Sequence, residues 1–110
     1  MQNKKHFTEW LDENKIFFGS NSHLTERLEL NDGTTLSIQA GYDKYCHPRA
    51  NLDSYKDYKS FEIGFPSVKI DEIMEYAQDP DDPTETVYPV VPKKVIEDLI
   101  ENRGGIKTDS

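Results

Sequence analysis

A chain of 110 residues with 21 Asp and Glu against 13 Lys and Arg carries a formal charge of −8, a 35% hydrophobic fraction and one cysteine. That length holds one domain with one modest core and excludes a second. The charge sets an average field that repels phosphate, which excludes broad, non-specific nucleic-acid binding or anionic-membrane binding, and a lone cysteine excludes an internal disulfide.

No apolar run reaches the length of a membrane span, and the polar N-terminal residues lead into a polar helix rather than a signal-peptide core, so the expected location is the cytoplasm. Phe7, Trp10 and Leu11 share one side of a 3.6-residue repeat and predict a short helix over 6–15. Leu24, Leu28 and Leu30 share a strand parity, as do Leu36, Ile38 and Ala40. Asn31-Asp32-Gly33 between them predicts a β-hairpin, with Gly33 accepting a positive φ.

Further along, Phe61, Ile63 and Phe65 alternate with Glu62 and Gly64 as a strand does, until Pro66 ends it. Ser67 is the expected cap of a helix carrying Ile70, Ile73, Met74 and Ala77, which should cover the sheet. Residues 78–86 combine two prolines with Asp79, Asp81, Asp82 and Glu85 and read as a solvated loop. Val87 to Val91 then predict a short strand, placed at an edge because Pro89 lacks a ladder donor. Pro92 starts a last helix with Val95, Ile96, Leu99 and Ile100, closed by Arg103 and Gly104-Gly105. The pattern predicts a single α+β domain over 1–110 with a core from about 6 to 106, a loose 107–110 tail and a mainly antiparallel sheet packed by two or three helices.

The chemistry-bearing residues concentrate in "GYDKYCHPRANLDSYKDYK", residues 41–59. Cys46 and His47 suggest a thiolate and its base, but neighbours on a strand point to opposite faces, and spacing places neither His6 nor His23 beside them. Metal binding lacks support: there is no Cys-x-x-Cys or His-x-x-x-His, and the acidic loop lacks the central glycine of a calcium loop. No cofactor is expected. Lys44, His47 and Arg49 interrupt the acidic background beside Tyr42 and Tyr45. Arg holds phosphate or carboxylate with two parallel donors, a tyrosine ring offers a stacking face, and Pro48 stiffens the connection. The plain alternative is that the tyrosines pack at the sheet margin while Arg49 pairs with a nearby acid.

The ordered segments "LSIQAGYDKYCHPR", "FEIGFPS", "DPDDPTETVYPVVP" and "ENRGG", spanning 36–105, resemble a family of small accessory proteins carried by bacteriophages and prophages. The resemblance implies a non-enzymatic protein that acts by binding in the host cytoplasm, either sequestering a nucleotide signal or blocking a host defence protein. It draws attention to Tyr45-Cys46-His47-Pro48-Arg49 and to Thr86-Val87-Tyr88. Two readings follow. In the first, Arg49, Lys44 and His47 engage a small anionic ligand while Tyr42, Tyr45 or Tyr88 stacks on it, a homo-oligomer completing a pocket that so small a domain cannot enclose alone. In the second, Asp79, Asp81, Asp82 and Glu85 dock on a basic face of a host enzyme, in the manner of an anti-CRISPR or DNA-mimic inhibitor. An enzyme with Cys46 as nucleophile ranks third.

Overall fold

The computed structural model describes residues 5–18 and 22–108, with 17, 18, 22 and 23 described by their backbone alone. Helix α1 (Phe7–Glu13) leads into strands β1 (Lys15–Phe18) and β2 (Ser22–Thr25). Then come β3 (Leu28–Glu29), β4 (Thr35–Gln39), β5 (Ser60–Gly64), β6 (Val87–Pro92) and helix α2 (Lys93–Asn102). Two 3-10 segments, Tyr55–Asp57 and Asp71–Tyr76, sit in the long connections. Among the described residues the strands form a four-stranded antiparallel sheet in the order β3-β4-β5-β6 and a separate β1-β2 ribbon. The domain is α+β.

Alternation builds the core face of the main sheet: Leu28, Leu36, Ile38, Phe61, Ile63, Tyr88 and Val91 are all fully buried. Phe7 and Leu11 of α1, Ile96 and Leu99 of α2, and Ile70 and Ile73 close over them. The Phe7 ring meets Phe61 edge-on, with centroids 5.1 Å apart at 73°. The hairpin turn is made as its sequence requires. Gly33 adopts φ 94°, its N–H donates to Leu30 O at 2.9 Å, and Asp32 Oδ1 accepts from Thr34 N at 2.9 Å.

The structure corrects several boundaries. Leu24 does not extend the hairpin; it lies in β2 opposite Ile16, and β2 is tied to β4 through Thr25, whose hydroxyl donates to Ile38 O at 2.7 Å. The expected inward Phe65 faces solvent instead. Strand β5 stops at Gly64, and Phe65 turns to φ 49° with its N–H donating to Thr86 O and its carbonyl accepting from Arg27. Ser67 does not cap a helix, since its Oγ accepts from Thr35 N at 2.9 Å and its N–H donates to Thr35 O at 2.8 Å. The segment that follows is 3-10, and Ile70, Ile73 and Tyr76 fall at the three-residue interval of that helix. Strand β6 does lie at the sheet edge, where the missing Pro89 donor leaves no ladder bond unmade. At the opposite edge Ile106 bridges Leu30, and Lys107 N donates to Glu29 O at 2.9 Å, so the chain is held one residue past 106.

Candidate functional site

Chain geometry brings the 41–49 segment across the sheet margin onto the β6 edge. Phe61 faces Val91 and Ile63 faces Tyr88, which leaves Pro89 and Val90 opposite the single residue Glu62. The resulting bulge puts Val90 at φ 55°, a conformation that costs a β-branched residue on the order of 1–2 kcal/mol. Its N–H then donates to Tyr45 O at 3.0 Å, while Glu62 Oε1 accepts from Tyr45 N at 2.9 Å. Both backbone polar groups of Tyr45 are thus fixed by neighbouring strands, and the ring is left 47% exposed.

Below this point Cys46 acts as a buried internal tie. Its Sγ lies 3.3 Å from the carbonyl oxygens of Gly41 and Pro48, both within reach of the one S–H, and accepts from Gly41 N at 3.4 Å. Burial pushes the thiol above its ordinary pKa, which keeps it protonated and opposes use as a nucleophile. The His47-Pro48 bond is cis. His47 is exposed, and its carbonyl accepts from Lys59 N at 2.8 Å. Residues 50–52 are held by Tyr58, whose hydroxyl donates to Ala50 O at 2.5 Å and accepts from Leu52 N at 2.9 Å.

Arg49 carries its guanidinium carbon 5.5 Å from the centre of the Tyr45 ring. Among the described residues it has no carboxylate partner, so the expected pairing of Arg49 with a nearby acid is not what forms. Such a contact contributes about 0.5–1 kcal/mol at an exposed site and leaves the charge unneutralised. Tyr42 is 48% exposed, with its N–H donating to Asn51 Oδ1 at 3.1 Å. Lys44 is spoken for, its Nζ lying 2.8 Å from Asp43 Oδ1. The structure therefore brings Tyr45 and Arg49 into contact, keeps Tyr42 and His47 exposed on the same loop, and pairs Lys44.

Tyr88 does not belong to this group. It points into the core, fully buried, and its hydroxyl donates to Pro83 O, so no ring face is open to a ligand. The reason is parity: Tyr88 is opposite Ile63 on the core face of β5. Its role is to anchor the acidic loop, helped by Thr86 Oγ1, which accepts from Asp79 N at 3.1 Å. Asp82 N donates to Asp79 O at 3.0 Å and Glu85 N to Asp82 O at 2.9 Å, so the loop is a run of local turns. Asp79, Asp81, Asp82 and Glu85 are all exposed.

A concavity of about 580 Å³ opens elsewhere, between the start of α1, the outer face of α2 and the chain end, lined by His6, Glu97, Asp98, Glu101, Gly104 and Ile106 among others. His6 spans it: Nδ1 accepts from Thr8 N at 3.2 Å as the cap of α1, and Nε2 lies 2.6 Å from Glu97 Oε2. Sequence spacing could not have paired residues 6 and 97. Among the described residues no cluster of three or more His, Cys, Asp or Glu is placed to hold a metal, and no helix is long and apolar enough to cross a membrane. No family model, curated protein or solved structure matches this chain.

Proposed function

We propose that this protein is a non-enzymatic binding protein that holds a small anionic, nucleotide-like ligand on the 42–49 segment, in the manner of a phage accessory protein that sequesters a signal of host defence. The carrying observation is the Arg49–Tyr45 contact: an unneutralised guanidinium over an exposed ring whose backbone is fixed on both sides, in a chain with eight more acids than bases. Arg49 supplies parallel donors to phosphate or carboxylate, and Tyr45 supplies the ring. Because β6 and Glu62 already hold Tyr45, little ordering is lost when a ligand arrives. Titration calorimetry with a panel of cyclic and linear nucleotides is expected to find at least one that binds, and Arg49→Ala to weaken it by about tenfold or more. Heat from none of them, or binding undiminished in Arg49→Ala, would sink the reading.

The anchored acidic loop supports a second reading, in which Asp79, Asp81, Asp82 and Glu85 dock on a basic face of a host enzyme. Tyr88 and Thr86 tie the loop backbone at Pro83 and Asp79, the four carboxylates are exposed, and among the described residues none is in an ion pair. Reversing Asp81 and Asp82 to lysine should slow association with such a partner, most at low salt, and leave nucleotide binding unchanged. Equal association rates for the reversed and natural chains exclude it.

A further inference from the structure

Arg27, Arg49, Lys56, Lys59 and Lys93 are the cations with no carboxylate partner among the described residues. Arg27 is spent on neutral acceptors, the Thr35 hydroxyl and carbonyl and the Phe65 carbonyl. The other four are stitched together by the backbone. Lys59 N donates to the carbonyl of His47, two residues before Arg49; Lys93 N donates to Lys59 O at 3.1 Å; and Lys93 Nζ donates to Lys56 O at 2.6 Å. A segment at the sheet margin, a 3-10 turn, the start of β5 and the start of α2 thus meet at one corner of an acidic molecule, each carrying a cation that no carboxylate neutralises, with the Lys93 ammonium hydrogen-bonded there to the neutral Lys56 carbonyl.

Nothing in the fold requires this grouping. Lys93 and Lys94 open α2, whose first turn has no acidic residue and whose cap, Pro92, supplies no side-chain acceptor. Lysines at the positive end of a helix stand opposite to the favourable placement, so the helix dipole adds to the field of the side chains instead of cancelling it. Asp57 shares the turn with Lys56 and pairs with none of these lysines. Of the neighbouring acids, Asp43 pairs with Lys44, while Glu62 and Asp12 accept from neutral donors, Glu62 from Tyr45 N and Asp12 from Ser54 Oγ and Tyr55 N.

We propose that Lys59 and Lys93, with Lys56 beside them, extend the Arg49–Tyr45 surface into a seat for a chain of phosphates, so that the ligand is a nucleotide carrying two or more phosphate groups in a row. This rests on the ligand-binding reading of the 42–49 segment and specifies its substrate class. Tyr45 and Arg49 take the base and the first phosphate, and the lysine corner takes those beyond it. Each added phosphate meets a cation that no carboxylate neutralises, and near a protein surface such a contact is worth several times what it is worth in bulk water.

The test is calorimetry at low salt with adenosine mono-, di- and triphosphate on the natural chain, on Lys59→Glu/Lys93→Glu and on Arg49→Ala. The natural chain should prefer triphosphate over monophosphate by about tenfold or more, and the double variant should weaken triphosphate binding well beyond monophosphate binding and so lose that preference. Arg49→Ala should weaken all three. Lys93→Glu places an acid in the first turn of α2, where it favours the helix, so a thermal melt no lower than that of the natural chain separates lost contacts from lost fold. A triphosphate preference that survives in the double variant, or monophosphate binding that gains nothing from added phosphates, overturns this inference alone. Absence of binding by all three, while another nucleotide of the panel binds the natural chain, overturns this inference and leaves the reading beneath it standing; absence of binding by the whole panel overturns both.

Discussion

Truncating Phe61 to alanine should lower the stability of this domain by about 3–5 kcal/mol, a large share of the 5–15 kcal/mol that holds a typical domain folded. Phe61 is fully buried at the centre of the main sheet. Its ring meets Phe7 at 5.1 Å and Tyr58 at 5.9 Å, and Tyr58 in turn lies 5.8 Å from Tyr55. Four aromatic rings from α1, β5 and the 54–58 turn therefore share one wall, and the cavity left by removing the middle one cannot collapse without moving all three elements. Urea unfolding should show a lowered midpoint with an unchanged slope. Tyr45→Ala, which removes a half-exposed ring and its contact with Arg49, should cost only about 0.5–1 kcal/mol. A Phe61→Ala loss below about 1 kcal/mol would mean that the aromatic wall is not the centre of the core.

The same wall builds the candidate site. Tyr58 packs on Phe61 with its ring and holds residues 50–52 with its hydroxyl, so the loop after Arg49 is set by a core residue. On the other side the β6 bulge turns Val90 N–H toward Tyr45 O. Strain at Val90 and a polar group spent at Tyr58 are both directed at one exposed stretch of chain. The core thus ties that stretch down on both sides of Arg49.

Local rules made much of this legible beforehand. Asn31-Asp32-Gly33 specified the hairpin through one positive φ, and Gly104-Gly105, at φ 86° and 90°, closed α2 as their type suggests. The β1-β2 ribbon left no comparable trace, because Ile16-Phe17-Phe18 is a short apolar run without alternation. The helix expected after Ser67 is a 3-10 helix over Asp71–Tyr76, a distinction the sequence does not carry because three-residue spacing of apolar groups fits both helix types over so few turns. At the candidate site, composition points to Tyr42, Lys44, Tyr45, His47 and Arg49, and Lys59 closes the same 41–59 stretch, while Lys93 comes into view only in three dimensions. Lys59 joins His47 and Lys93 joins Lys59 through pairing of residues 12 and 34 positions apart, and the sequence carries no trace of that pairing. Tyr88 shows the opposite failure: strand parity on β6 depends on a bulge whose position the sequence does not announce.

Lowering the pH from about 4.5 toward 2 should destabilise this protein through one ion pair more than through any other single group. Arg103 Nη1 donates to Glu72 Oε2 at 2.7 Å and Nη2 to Glu72 Oε1 at 3.1 Å, a two-bond fork, and Asn102 Nδ2 adds a donor at 3.0 Å. The Arg103 fork, more than any other cause, holds the Glu72 carboxyl down from its ordinary 4.5 to about 2. Because the folded value lies below the unfolded one, the stabilisation is fully present above pH 4.5 and is lost as pH falls toward 2. Taken whole, the shift corresponds to about 3 kcal/mol; with a quarter of the Glu72 side chain exposed, solvent screening brings the expected figure to about 1.5–2 kcal/mol. Glu72→Gln keeps the shape and the Asn102 contact but removes the charge, so it should cost about that much at pH 7 and flatten the acid limb. Arg103→Lys should fall between the two, since one ammonium cannot reproduce the fork. Urea midpoints at pH 7, 4.5 and 3 for the three chains decide the matter: a Glu72→Gln chain that loses stability between pH 4.5 and 3 as steeply as the natural one would show that the clamp joining the 71–76 turn to the end of α2 is not the acid-sensitive contact.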